Sequence, residues 1–279
     1  MSTNKTSDVM RRKKANFAHL KRLFHEVKKL DYICLTTEDV EKLGLKQLFA
    51  PKPVESYHKL PQAEFEFLPY DPYWGEMSAG LGLDQDVWNY LHEDIPEASR
   101  RSPGEFSLLR YSKWHSGDTA KLIHDGTAEF TGRFGTYEWR LNHIYDTLPQ
   151  ITEYLHMIMA SVHNLGVDES TERSIIRGEA ILAVTALLWR MKLAVFEHHE
   201  QFPMLLITVC CRKLLIVQAY FDGEQLHMAL SDFLDFTAFN ETSWNLLLRW
   251  MIHEPIGNTK IPTKTPLAGA TSSSKTTSA

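Results

Sequence analysis

The chain has 279 residues, of which 43% are hydrophobic and 23% charged, with a net charge of −5. This is ordinary globular usage, and a chain of this length can bury a core without disulfide or metal staples. The acidic balance excludes a protein whose whole surface binds nucleic acid, because such domains are strongly basic.

In chain order, residues 1–16 are polar and then basic, ending in Arg11-Arg12-Lys13-Lys14. They read as a disordered basic tail without the apolar core of a secretory signal. Phe17, Leu20, Phe24, Val27 and Leu30 then recur at helical spacing, with Lys21, Arg22, Lys28 and Lys29 off that face. A hydroxyl of Thr36 or Thr37 is predicted to cap a short second helix closed at Gly44. Five prolines interleaved with aromatics make residues 51–82 extended or irregular. A short helix is predicted over Asp84–His92, and residues 93–135 give no period. Tyr137–Leu165 reads as helical, interrupted near Pro149, with Ile151, Leu155, Ile158 and Val162 as its later apolar face.

Asp168-Glu169-Ser170 is a plausible helix start, and apolar residues then run from Ile175 to Phe196 on nearly every side. Such a helix is buried on most faces. Its most apolar stretch, Ala180–Trp189, is about half the length that spans a bilayer. Two apolar runs, Met204–Val209 and Leu214–Phe221, read as strands, with Asp222-Gly223 as a tight turn into a third strand over Gln225–Leu230. Thr242 or Ser243 is predicted to cap a closing helix. The fold expected is therefore α+β: a helix-rich N-terminal half, a long buried helix, a three-stranded antiparallel meander and a closing helix. Residues 17–256 form one domain, with 17–82 either part of it or a separate lobe. Residues 257–279 read as a second disordered tail.

The C-terminal part resembles a broad group of uncharacterised proteins of filamentous fungi. The features shared are His199 with Phe202-Pro203, the run Gln218-Ala219-Tyr220-Phe221-Asp222-Gly223, Asp235-Phe236-Thr237, and Trp250-Met251 with Pro255-Ile256-Gly257-Asn258-Thr259. The segment Leu35–Pro51 also looks like that group. The resemblance implies no established activity; it implies an accessory role in fungal secondary metabolism.

Helix, meander, helix is also the order of the PD-(D/E)XK nuclease core, which needs carboxylates on two adjacent strands to hold a divalent cation. Here Met204–Val209 has no acid, and Gln218-Ala219-Tyr220 stands where acid-x-Lys is required. Glu179, His199 and His227 remain as candidate catalytic residues; no metal site and no cofactor is expected. Tyr73, Trp74 and Trp88 are candidates to line a pocket for a small apolar ligand. The basic region Arg11–Lys14 with Lys21, Arg22, Lys28 and Lys29 suits an import signal or a phosphate contact, and equally a solvated helix start. Three cysteines, Cys34, Cys210 and Cys211, make a poor disulfide framework and suit a reducing cytoplasm or nucleus. The reading favoured is a non-enzymatic intracellular interaction or accessory protein, with a protein or small apolar ligand as partner. An enzyme of unrecognised type, metal-dependent or a degenerate nuclease relative, is the alternative. Neither a membrane nor nucleic acid is expected as partner.

Overall fold

Every residue of Met204–Cys210 is buried, so this strand has sheet neighbours on both sides and a packed layer on both faces. The computed structural model describes residues 3–49, 58–59, 114–116, 129–147, 155–168, 171–197, 199, 201–238, 240–256 and 259. Its helices are α1 (Thr3–Lys29), α2 (Thr37–Lys42), α3 (Arg177–Lys192) and α4 (Glu241–Met251). Nine strands form one mixed sheet: β1 (Leu45–Phe49), β3 (Trp114–Ser116), β4 (Thr131–Phe134), β5 (Tyr137–Thr147), β6 (Met157–His163), β7 (Met204–Cys210), β8 (Lys213–Phe221), β9 (Leu226–Leu230) and β10 (Leu234–Asp235). Their order is β1-β9-β8-β7-β6-β5-β3, with β4 hairpinned onto β5 and β10 on the end of β8. A separate pair joins β2 (His58–Lys59) to β11 (Glu254–Pro255).

Alternation along β7 sorts the core into two layers. Met204, Leu206 and Cys210 join α3 and the apolar stripe of α1, formed by Leu20, Leu23 and Val27. Leu205, Ile207 and Val209 point the other way, onto Trp244, Leu247, Leu248 and Met251 of α4. The sheet is thus covered on both faces. Among the described residues, no helix is long and apolar enough to cross a membrane.

The expected fold class is overturned. The described chain before α3 is not chiefly helical: after α1 and α2 it runs into the strands of a large sheet, with Thr131–His163 supplying the antiparallel neighbours β4, β5 and β6. The three strands after α3 are not a free-standing meander but part of a nine-stranded sheet. Nor are helices and strands segregated: β6 and β7 are parallel, and the chain crosses between them through α3. The helical reading of Tyr137–Leu165 failed for a physical reason. A strand buried on both faces fills every position with apolar groups, so a three-four spacing is satisfied by accident. The truer signal was the alternation Tyr137, Trp139, Leu141 against Glu138, Arg140, Asn142 in β5.

Helix ends also differ from expectation. The helix α1 begins at Thr3, inside the stretch that composition assigned to a tail. The turn at Asp168 is closed by its own bonds with Thr171 and does not start a helix; α3 begins at Arg177. The cap of α4 is Asn240, whose Oδ1 accepts from the Ser243 amide at 3.0 Å. At α2 the cap is Thr36, in a reciprocal pair with Asp39 (2.9 and 3.2 Å), and Gly44 closes that corner at φ +66°. The predicted helix over Asp84–His92 lies outside the described residues, as does the C-terminal tail apart from Thr259.

Candidate functional site

Glu179 sits in the first turn of α3 and is fully buried. The capping residue, Ile176, has no side-chain acceptor, so only half of a capping box forms: the Ile176 amide donates to Glu179 Oε2 at 3.0 Å. Thr208 on β7 faces the carboxyl, but neither Glu179 Oε1 nor Thr208 Oγ1 completes a hydrogen bond of normal geometry. Burial therefore pushes the Glu179 pKa up to about 7, against the smaller pull of the Ile176 amide and Thr208. At neutral pH a large share of this carboxyl carries its proton.

Next to it lies a chain of buried hydroxyl and imidazole groups. Tyr137 Oη meets His163 Nδ1 at 2.7 Å, and Ser161 Oγ meets His163 Nε2 at 3.1 Å. Pairing of β6 with β7 sets Ser161 beside Thr208 and His163 beside Cys210. Burial drops the His163 pKa to about 3, so the ring is neutral. Burial, then the neighbouring Glu179, raises the Tyr137 hydroxyl and the Cys210 thiol. Gly178 roofs this layer: a Cβ there would lie 2.9 Å from His163 Cε1 and against the Tyr137 hydroxyl. The constellation resembles a proton relay, yet every member is below a tenth exposed. Among the described residues the layer is sealed: Tyr137, His163 and Ser161 bond one another beneath a helix, while Glu179 Oε1 and Thr208 Oγ1 are left without a normal hydrogen bond.

The other two predicted residues are taken up elsewhere. His199 Nδ1 bonds Thr259 Oγ1 at 2.9 Å. His227 Nε2 bonds Asp222 Oδ2 at 2.6 Å, and its ring stacks on Tyr220 with centroids 4.4 Å apart. Asp222 also accepts the Glu224 and Gln225 amides at 2.8 Å, which shapes the β8–β9 turn. Glu179, His199 and His227 therefore do not form one site. Among the described residues, no three His, Cys, Asp or Glu side chains converge as a metal site would require. Neither β7 nor β8 carries an acid, so the two-strand carboxylate set of a nuclease is missing. Tyr73, Trp74 and Trp88 lie outside the described residues.

A different surface gathers the charge. The helix α1 holds nine Lys and Arg against two acids, a net +7, while the rest of the chain carries −12. Its buried stripe fixes the opposite side toward solvent, and Arg11, Arg12, Lys14, Lys21, Arg22, Lys28 and Lys29 are all exposed there. The first half of α1 and the end of α3 enclose a groove of about 650 Å³. The Lys13 ammonium donates to the Phe196 carbonyl at 3.0 Å and also to that of Glu197, closing one end. Met10, 59% exposed, lines this groove, and Val195, 57% exposed, follows its lining residue Ala194 in the chain.

No known family model, curated protein or solved structure matches this chain.

The basic cluster was visible in the sequence as a run of charges. Its partner surface was not, because Met191 and Leu193 read only as the end of a buried helix. The Ser161–His163 and Thr208–Cys210 pairs could have been found as polar residues two apart in otherwise apolar strands.

Proposed function

We propose that this chain is a non-catalytic interaction protein that docks an acidic protein partner on the outer face of α1. One observation carries the reading: a +7 helix on a body of −12, its cations exposed in one strip. Charge so segregated steers an oppositely charged partner and fixes its register, rather than serving solubility alone. Two features favour protein over nucleic acid. Acids interrupt the strip, with Lys29 bound to Glu26 at 2.7 Å and Lys28 to Glu129, which weakens a continuous phosphate track. The exposed non-polar groups beside it are Met10 and Val195, which are not stacking platforms for bases. The candidate catalytic residues support the same reading, since each is occupied in a local structural role.

The test uses two probes, a labelled 20-residue polyglutamate and a 20-base-pair DNA duplex. Binding is compared between the native chain and Arg11→Glu/Lys14→Glu/Lys21→Glu/Arg22→Glu. Polyglutamate binding should fall with salt, and the variant should lose roughly ten- to a hundredfold, as for several exposed charges acting together. Tighter binding of the duplex would replace the protein partner with nucleic acid. Equal affinity of native and variant chains for polyglutamate would remove α1 as the docking face.

A further inference from the structure

We infer that the element seated on this protein is an amphipathic helix of the partner, acidic on its outer face, lying in the groove between α1 and the end of α3. The inference rests on the docking reading above and adds the shape of the bound element and its place. The groove floor is apolar: Met10 and Phe17 from α1, Met191 and Leu193 from the end of α3. The rim is cationic, with Arg11 and Lys14 on one side and Lys192 on the other; Glu197 is the one acid lining it. The Lys192 ammonium also stands 6.0 Å from the Phe17 ring centroid, so this cation borders the apolar floor directly.

Size and walls select a helix. From Met10 to Phe17 the floor runs seven residues along α1, about 10 Å at the helical rise. Apolar anchors at i, i+3, i+4 and i+7 of a bound helix cover the same length. Both walls are helical, and the rows of side chains on two helices leave a furrow that a third can fill. An extended peptide adds to a sheet edge, and none of the described residues lining this groove belongs to a strand. Met10 and Val195 are two of the three large apolar side chains left exposed among the described residues. Met10 lines this furrow among Arg11, Lys14 and Lys192, and an exposed apolar side chain ringed by charge is the pattern of a contact surface. Acidic residues flanking the anchors would face Arg11 and Lys14 on one side and Lys192 on the other.

The experiment uses the full chain and two fluorescein-labelled 16-residue peptides of equal negative charge. One carries Leu at i, i+3, i+4, i+7 and i+11 among Glu and Ala. The other has Ser in place of each Leu. Anisotropy titrations compare the native chain, Met10→Ser/Leu193→Ser and Lys14→Glu/Lys192→Glu, each checked for fold by circular dichroism. The Leu peptide should bind at least tenfold more tightly than the Ser peptide. The Met10/Leu193 variant should erase that preference and leave Ser-peptide binding unchanged, and the charge variant should weaken both. Equal binding of the two peptides, lost together in the charge variant, sinks the groove and leaves the α1 docking reading standing. Binding of neither peptide sinks both. Binding of dodecanoate in place of either peptide would overturn the helix and assign the furrow to a small amphipathic anion.

Discussion

Replacing Glu179 by Gln should change how stability depends on pH, by an amount that follows from its burial. The native state holds this carboxyl's proton up to about pH 7, whereas an exposed glutamate releases it near 4.5. Between those values the unfolded chain has lost a proton that the folded chain keeps, so stability falls as pH rises. Each pH unit is worth about 1.4 kcal/mol, giving roughly 3 kcal/mol across the window. His163 and His253 act oppositely: burial drops each from 6.5 to about 3, so stability falls as pH decreases below 6.5. Two histidines outweigh one glutamate below 6.5, and the glutamate alone acts from there to about 7. Stability should therefore peak near pH 6.5. In Glu179→Gln the decline above the peak disappears. Relative to the native protein, the variant should gain on the order of 3 kcal/mol between pH 4.5 and 8. Urea titrations followed by tryptophan fluorescence would read this as a relative midpoint shift of about 1 M or more. A difference between the two proteins that stays constant across this range would refute the reasoning. It would mean that Glu179 titrates like an exposed carboxyl.

Gly178→Ala should lower stability by about 1–3 kcal/mol, because the new methyl meets the Tyr137 hydroxyl and His163 in a close-packed layer; chemical denaturation measures it. Asp222→Ala should cost about 2 kcal/mol and raise amide exchange at Glu224 and Gln225, since one carboxylate holds both amides and His227. Unchanged exchange there would show that the β8–β9 turn holds without it. In a thiol-labelling time course on the native protein, Cys211 should react first and Cys210 only on unfolding, because Cys211 is exposed and Cys210 is 1% exposed with its pKa raised.

Local signals were legible and long-range ones were not. The cap at Thr36, the corner at Gly44, the turn at Asp222-Gly223 and the burial of α3 each depend on a few adjacent residues whose chemistry is decisive. The sheet depends on partners far apart in the chain. The β1 strand pairs with β9 across some 180 residues, and nothing in Leu45–Phe49 names that neighbour. The strand β6 was misread because burial on both faces removes the alternation that marks a strand. The candidate residues rest on a signal with a related ambiguity. Glu179, His199 and His227 were chosen as polar groups in apolar surroundings, and that pattern marks a satisfied structural group as readily as a reactive one. Only position separates them: Glu179 under a helix end, His199 against Thr259, His227 against Asp222.

The buried polar layer and the exposed basic helix are linked through α3. At its N-terminal end, Arg177 donates to the carbonyls of Val27 and Lys28, satisfying the last turn of α1. Just beyond its C-terminal end, the carbonyls of Phe196 and Glu197 receive the Lys13 ammonium from the first half of α1. The basic helix α1 is thus fastened at two places about four turns apart, with Leu20, Leu23 and Val27 packed between them. The position of α3 in turn depends on Gly178 and Glu179, which seat its first turn on Tyr137, His163 and Thr208. A furrow between two helices keeps its width only if neither can shift along the other. Here both fastenings belong to the segment that the sealed polar layer holds against the sheet. On the docking proposal, that layer would serve binding without contacting a partner, because it fixes the wall against which α1 presents its charge.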